Sequence, residues 1–271
     1  MSSRDTRLVD EELIIPRDVE TGQWKYRVGA LALAVLFFGL WELLPRLGLV
    51  SEIILPRFSD TMTALYTLVI QPFFPKHLKV TLYEIFMGFT IGTFIGLTMG
   101  IMLGVWEGLR KLTYPFVVAF QAIPKIVLAP LFIAWFGYGT SSKVVMAVAI
   151  GFFPVLINTM VGIENVPADM KELMRSLRAT RWQSFRKAEL PAASPLIFAG
   201  VKTALTFSLI GAIVGEFVAA SEGLGYLLDT YNFALRIDRV FSLIIILSAI
   251  GAIFYFALEW LDRKLISWRE D

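Results

Sequence analysis

The sequence contains no cysteine and only one histidine, His77. The absence of cysteine excludes disulfide bonds, thiolate nucleophiles and cysteine-ligated metal centres, and one histidine leaves little for a metal site. Charged residues make up 18% of the chain, against about 25% in an average soluble domain. The formal net charge of +2 gives no reason to expect nucleic acid as a partner. In contrast, 56% of the 271 residues are apolar and the mean hydropathy is +0.67, which indicates a membrane protein.

Apolar runs long enough to cross a membrane recur along the chain. A transmembrane helix needs roughly 20 mostly apolar residues. Six such runs lie at 28–45, 80–105, 112–136, 144–163, 194–219 and 239–261. The sequence therefore predicts an all-α membrane protein with about six transmembrane helices. We expect a cytoplasmic N-terminal segment over 1–27, one transmembrane domain over 28–271 and a short amphipathic surface helix near 60–70.

The distribution of lysine and arginine predicts the orientation. With a cytoplasmic N-terminus, the inner segments carry 16 of these residues and the outer segments carry 6. An excess of basic residues on the cytoplasmic side is the usual arrangement in membrane proteins. We therefore expect both termini in the cytoplasm, with residues 164–192 as the long cytoplasmic loop and Lys143 in an outer loop.

Five glycines recur at every fourth position of the second apolar run: Gly88, Gly92, Gly96, Gly100 and Gly104. Each lowers helix propensity, so the repeat indicates a face on which two helices approach closely. Packing within the subunit is the simpler interpretation, and a role in gating or at a dimer interface is the alternative.

The 164–192 loop has the pattern of two short helices. Met170, Leu173, Met174 and Leu177 share one helical face, which would give the first helix an apolar stripe. Thr180 and Gln183 have the spacing of a capping box that starts the second helix, and Pro191 is expected to end it. The stripe could dock on another protein, or it could pack on the ends of this protein's own helices.

The same loop resembles the EAA loop of ABC-importer permeases, whose pattern is E-A-A, three residues, G, nine residues and I-x-L-P. Glu172-Leu173-Met174 occupies the E-A-A position. Arg178 occupies the glycine position and is followed by Ala179, and Ala188-Glu189-Leu190-Pro191 occupies the ending. Arginine disfavours the positive φ that glycine adopts at little cost, so the turn at Arg178 is left open.

Two further stretches are similar to the nitrate/sulfonate/taurine-type permeases. Pro130 begins P-L-x-x-x-W-F-G-x-G-x-x-S-K, which ends at Lys143. Glu216 is followed by Gly223-Leu224-Gly225, as in the family's glutamate and G-L-G segment. Together with the loop, the resemblance covers roughly residues 50 to 269.

This resemblance implies a type I ABC importer permease with a MetI-like fold in a bacterial inner (plasma) membrane. It implies a homodimer whose EAA loops bind cytoplasmic ABC ATPase subunits, and a periplasmic or lipid-anchored binding protein that delivers the solute. ATP and magnesium would be bound by the ATPase partner, because this chain has no G-x-x-x-x-G-K-[ST] motif and we expect no cofactor in it. Membrane lipid and a small-molecule solute complete the expected partners.

Charged residues inside apolar runs require a structural or functional reason. Lys125 lies between Pro124 and Pro130, where a broken helix would free carbonyl groups. Lys125 could face the translocation path, or it could be neutralised by Glu84 or Glu216. Glu216 is expected to act as a gate or helix-end constraint rather than as a solute ligand, and Asn158 is a further candidate for a polar path.

Two other functions compete with the importer. An ion-gradient-driven secondary transporter would use intramembrane carboxylates and usually contains an internal repeat, which is not evident here. An integral membrane enzyme lacks support, since no HExxH or GxSxG motif is present. Within the importer interpretation, the solute could be nitrate, a sulfonate such as taurine, or a vitamin precursor, and the intramembrane lysine slightly favours an anion.

Overall fold

The computed structural model describes residues 23–265, and all regular structure in that range is helical. The predicted all-α fold class is therefore confirmed. Most of the predicted N-terminal segment, residues 1–22, lies outside the described residues, as does the basic residue Arg269.

Eleven α-helices occur among the described residues. They are α1 (Gln23–Arg46), α2 (Phe58–Val69), α3 (Phe74–Val105), α4 (Glu107–Ala122), α5 (Ala129–Phe136), α6 (Thr140–Glu164), α7 (Ala168–Ser176), α8 (Arg181–Ser184), α9 (Leu190–Ala219), α10 (Leu224–Phe233) and α11 (Ile237–Leu265). A 3-10 turn, Lys125–Leu128, precedes α5, and a π-helical turn, Phe185–Glu189, joins α8 to α9. The amphipathic helix expected near 60–70 corresponds to α2.

Five helical segments are long and apolar enough to span a membrane, within the part of the chain that is described. The predicted third run is instead a broken pair, in which α4 and the segment Lys125–Phe136 meet at 81°. Ile123 and Pro124 are extended at the break, and neither Pro124 nor Pro130 has an amide hydrogen to donate to a helix. The count of six spans therefore holds only if this broken pair is one of them.

Residues up to Ser59 form the first of two compact units. In this unit the Trp41 indole N–H donates to the Pro56 carbonyl oxygen at 2.9 Å. The Glu42 carboxylate accepts from the Ser59 amide and hydroxyl at 2.9 and 3.0 Å, and it pairs with Arg46 at 2.6 Å. Glu42 thereby satisfies the Ser59 amide at the start of α2, which otherwise has no helical acceptor.

The second unit, which comprises the described residues from Asp60 onward, is organised around α3, α6 and α9. Helices α3 and α6 run parallel, and α9 runs antiparallel to α6 along its other face. We call the end where α6 leads into α7 the loop end, and the end where α9 leads into α10 the turn end. At the turn end, α10 and α11 close an apolar core that includes Leu224, Leu243 and Leu247.

The five glycines of the predicted repeat face α6, and all of them are buried except Gly104, which is half-buried. Their nearest neighbours run from Ala147 near Gly88 to Ile163 near Gly104. A Cβ atom on Gly100 would lie 2.8 Å from the Leu156 carbonyl oxygen, closer than van der Waals contact allows. The small residues thus let the two helix backbones approach, as in membrane helix pairs generally.

Candidate coupling loop and buried polar cluster

The first loop helix, α7, ends in a Schellman motif centred on Arg178. The Ala179 amide donates to the Met174 carbonyl oxygen at 3.0 Å, and the Arg178 amide donates to the Arg175 carbonyl oxygen at 2.9 Å. These are the two hydrogen bonds that define the motif. Arg178 has φ +52°, so it adopts the left-handed conformation that a glycine would adopt. The turn left open by the sequence is therefore formed with an arginine in place of glycine, at a conformational cost of about 1–2 kcal/mol.

The second loop helix begins with the predicted capping box. The Gln183 amide donates to the Thr180 hydroxyl oxygen at 3.3 Å, and the Gln183 side-chain oxygen accepts from the Thr180 amide at 2.8 Å. The prediction that Pro191 ends this helix is wrong, because helical structure continues over Arg181–Ala219. The π-helical turn Phe185–Glu189 lies just before the proline, and its wider backbone accommodates a residue that lacks an amide hydrogen.

The apolar stripe of the loop divides into an inner and an outer part. Met170 and Met174 are half-buried. Leu173 and Leu177 are 58% and 67% exposed, and Trp182 on α8 is 66% exposed. The inner part is partly covered by this protein itself, and docking of the outer part on another protein stays a prediction. We call Leu173, Leu177 and Trp182 the outer apolar surface.

The remaining residues of the EAA-like pattern differ in their exposure. Glu172 is exposed, and Ala179 is half-buried. Leu190 packs with Phe185 against the apolar core at the loop end, and Pro191 beside it is half-buried. A polar cavity of about 380 Å³ separates the loop from the ends of α3 and α6. Its charged lining comprises Glu107, Arg110, Glu164, Lys171, Arg175, Arg181 and Glu189.

At the break between α4 and α5, Lys125 contacts its own segment and α6. Its ammonium group donates to the Gln121 carbonyl oxygen at 2.9 Å and lies 4.6 Å from the centre of the Phe153 ring. Pro124 caps the 3-10 turn in an extended conformation, and Pro130 lies in the first turn of α5. The lysine is therefore held at the break by a carbonyl group and an aromatic ring.

The acidic partners suggested for Lys125 lie elsewhere: Glu84 lines a cavity together with Lys143, and Glu216 is hydrogen-bonded to Thr81. Asn158, suggested for a polar path, lies where α6 packs on Gly200 of α9. Its side-chain amide donates to the Pro154 carbonyl oxygen of its own helix at 2.8 Å.

Glu216 is the centre of a buried polar cluster at the turn end. One carboxylate oxygen accepts from the Thr81 hydroxyl at 2.6 Å, and the other accepts from the Gly225 amide. Thr81 in turn accepts from the Leu224 amide at 2.7 Å. Glu84 lies one turn further along the same face of α3, and both glutamates are 1% exposed. Glu216 thus binds the start of α10, and its role as a gate or helix-end constraint stays a prediction.

His77 extends this cluster along α3. Its Nδ1 atom lies 2.9 Å from the Gly223 amide nitrogen and 3.2 Å from the Gly223 carbonyl oxygen, and its ring stacks on Tyr226. Gly223 has φ +121°, and a Cβ atom there would overlap the Glu216 carboxylate. A glycine is therefore required at this position both by the backbone conformation and by the space that Glu216 occupies.

Lys143 is the member of the cluster that the sequence reasoning assigned to an outer loop. It is instead a residue of α6 and is 2% exposed. Its ammonium group donates to the carbonyl oxygens of Tyr138, Gly139 (3.1 Å) and Ala219 (2.6 Å). Lys143 thus joins the segment before α6 to the end of α9. Its place as the last residue of the family-like stretch ending S-K was the signal available in the sequence.

Comparison with known proteins agrees with this geometry. The family model described as "Binding-protein-dependent transport system inner membrane component" matches residues 92–267. A "Probable ABC transporter permease protein" from Haemophilus influenzae is 34% identical over 84% of this chain and 92% of its own length. The "Putative aliphatic sulfonates transport permease protein SsuC" from Bacillus subtilis is 32% identical over 88% of this chain and 87% of its own length.

The fold also matches a solved structure of an ABC importer. A chain of the MetNI methionine ABC transporter, in an inward-facing conformation, superposes with a TM-score of 0.61 at 20% identity, over 71% of this chain and 95% of that chain. This likeness supports the fold. The sequence relatives are named as ABC transporter permeases, so they favour the importer over the secondary transporter. The chain belongs to the binding-protein-dependent transport system inner membrane component family, and it is a multi-pass permease subunit of an ABC importer.

Proposed function

We propose that this permease carries a small anionic solute, such as a sulfonate or a related vitamin precursor, across a bacterial inner membrane. Two copies form the path, with the segment 1–27 and the 164–192 loop of each in the cytoplasm. The loop binds an ABC ATPase, which holds ATP and magnesium, and a periplasmic or lipid-anchored binding protein delivers the solute. This chain supplies no catalytic group to ATP hydrolysis.

The outer apolar surface of the loop carries the ATPase part of this proposal. Leu173, Leu177 and Trp182 are exposed beyond the α3–α6–α9 core, and basic residues surround them. Large apolar side chains at the centre of a polar rim are typical of residues that dominate a protein interface. The capping box and the Schellman motif hold the two loop helices in fixed geometry, which lowers the entropy lost on docking.

The test of this docking surface is the substitution Leu173→Asp. Burying an unpaired carboxylate at an apolar contact is costly, so we expect the ATPase to be lost when the permease is purified from membranes in mild detergent. Leu235→Asp is the matched control, because Leu235 is 65% exposed and follows α10 at the turn end. Retention of the ATPase at wild-type stoichiometry by Leu173→Asp would contradict the proposed docking role.

The broken pair α4–α5 supports the path and the second copy. No residue of α4 is buried, and Phe116, Phe120 and Trp135 on the pair are more than 60% exposed. Broken helices at membrane depth are tolerated where protein or a water-filled cavity covers the freed backbone groups. A second permease that faces this break would provide that cover and enclose a path beside Lys125.

Lys125 supports the choice of an anionic solute. An ammonium group at the break can attract an anion, while its carbonyl and aromatic contacts keep it in place without a neutralising carboxylate among the described residues. We expect Lys125→Met to lower solute uptake in a reconstituted importer while the purified protein keeps wild-type helicity. Lys76→Met is a control, since Lys76 pairs with Glu222 at the protein surface. Full uptake by Lys125→Met would rule out the role of this lysine in the path.

A further inference from the structure

The carboxyl groups of Glu84 and Glu216 belong to the same buried cluster, because Glu216 accepts from Thr81, Glu84 lies one helical turn beyond Thr81 on α3, and both are 1% exposed. An ionised carboxylate can only accept hydrogen bonds, and a protonated one can also donate. Two ionised carboxylates in one buried cluster would repel each other with little solvent to screen them. A proton on one of the two groups removes this repulsion.

The surroundings of the pair indicate which carboxyl is protonated. Glu216 accepts from the Thr81 hydroxyl and from the Gly225 amide, both of which stabilise an ionised carboxylate. Glu84 has no such donors, and its Oε2 atom has no hydrogen-bond partner among the described residues. Glu84 is thus the carboxyl that can donate, and Glu216 is the acceptor.

The charges of the cluster balance only with this proton. Lys143 supplies one positive charge, and its hydrogen bonds go to three carbonyl oxygens rather than to either carboxylate. Two ionised glutamates would leave one uncompensated negative charge in a buried site, which is unfavourable. The other ionisable groups near the pair are His77, which is bonded to Gly223, and Glu222, which pairs with Lys76 at 2.6 Å.

A route for the proton is also present. A cavity of about 90 Å³ adjoins Glu84, and its lining includes Lys143, Thr140, Ser221 and Glu222. This volume and its polar lining are sufficient for water. Ser221 and Glu222 belong to the turn between α9 and α10, so the cavity connects the pair to the turn end of the molecule.

We propose that Glu84 and Glu216 bind one proton between them, carried by Glu84 and donated to Glu216, and that this proton holds the α9–α10 turn against α3. Glu216 reaches the turn through the Gly225 amide, and α3 holds Glu216 through Thr81 and the protonated Glu84. Loss of the proton would place a second negative charge beside Glu216 and weaken the attachment of the turn.

Infrared spectroscopy of the purified permease in lipid nanodiscs tests this proposal. A protonated carboxyl has a carbonyl stretch that an ionised carboxylate lacks, and the band shifts when the proton is exchanged for deuterium. We expect this band in the wild type at neutral pH and its loss in Glu84→Gln, whose amide can still donate to Glu216. Glu52→Gln is the matched control and should leave the band unchanged, because Glu52 is exposed before α2 and lies outside this cluster.

The outcomes are distinguishable without any transport measurement. Absence of the band in the wild type at neutral pH, or its persistence in a folded Glu84→Gln variant, would overturn the proposal. If that variant does not fold, a pH titration of the wild type serves, since the band must disappear in a single step as the pH rises. A band that decreases when sodium replaces choline at constant pH would show that a metal cation balances the charge, and would also overturn the proposal.

Discussion

The glycine repeat of α3 allows a measurement of how closely two membrane helices are packed. A Cβ atom on Gly100 would lie 2.6 Å from the Thr159 Cβ atom and 2.8 Å from the Leu156 carbonyl oxygen. A Cβ atom on Gly92, which is also buried in α3, would approach no atom closer than 3.4 Å. Gly100→Ala and Gly92→Ala therefore make the same chemical change on the same helix, but only the first creates an overlap.

The expected difference between the two variants follows from these distances. Replacing glycine with alanine inside a helix gains about 1 kcal/mol from propensity in both variants, so this contribution cancels in the comparison. Overpacking costs about 1–3 kcal/mol, and a backbone carbonyl cannot rotate away to reduce it. We therefore expect Gly100→Ala to be about 1–3 kcal/mol less stable than Gly92→Ala, with Gly92→Ala as stable as the wild type or more so.

Reversible unfolding in mixed micelles with increasing dodecyl sulfate, followed by circular dichroism, provides the assay. Wild-type helicity in both variants before unfolding shows that the comparison concerns folded proteins. Equal stabilities of Gly92→Ala and Gly100→Ala would refute the argument, because they would mean that α3 and α6 separate freely to admit a methyl group.

Two further substitutions test other parts of the fold in the same assay. Arg178→Gly relieves the strain of an arginine in the left-handed conformation, but glycine loses more backbone entropy on folding, so we expect the free energy of unfolding to rise by about 0–1 kcal/mol. Leu235→Gly should give the same change, because Leu235 has φ +54° in a Schellman motif at the end of α10. A loss of stability at Arg178 alone would instead reveal a stabilising contact of its side chain. Lys143→Met leaves buried carbonyls and Glu216 without their cation, so we expect the free energy of unfolding to fall by about 3–5 kcal/mol. Lys125→Met should change the free energy of unfolding by no more than about 0.5 kcal/mol. Similar losses for the two lysines would contradict the assigned roles.

Local sequence signals predicted the loop well. The Thr180 and Gln183 spacing identified the capping box, because the two hydrogen bonds involve residues three positions apart. The turn at Arg178 could not be predicted, since its propensity favours other conformations and the decisive hydrogen bonds belong to the whole end of α7. The effect of Pro191 was also mispredicted, because a π-helical turn has no simple sequence signature.

In the rest of the molecule, the predictions failed where a residue's position depends on contacts between distant segments. Hydropathy assigned Lys143 to a loop, since it lies at the edge of an apolar run, yet its carbonyl partners come partly from Ala219, which is 76 residues away. The same limit affected Lys125, for which the sequence suggested Glu84 and Glu216 as neutralising partners because they are carboxylates inside apolar runs. Which lysine lies near these glutamates depends on the parallel arrangement of α3 and α6, and periodicity alone does not determine it.

The continuous helical segment Arg181–Ala219 joins the loop end to the turn end. Its 39 residues correspond to a rod of about 58 Å. When such a rod tilts about one end, each degree of tilt moves the other end by about 1 Å. The rod starts at the capping box of the loop and ends three residues beyond Glu216. A small rotation imposed on the loop would therefore displace the Glu216 carboxylate by an ångström or more, without breaking a single backbone hydrogen bond of the rod.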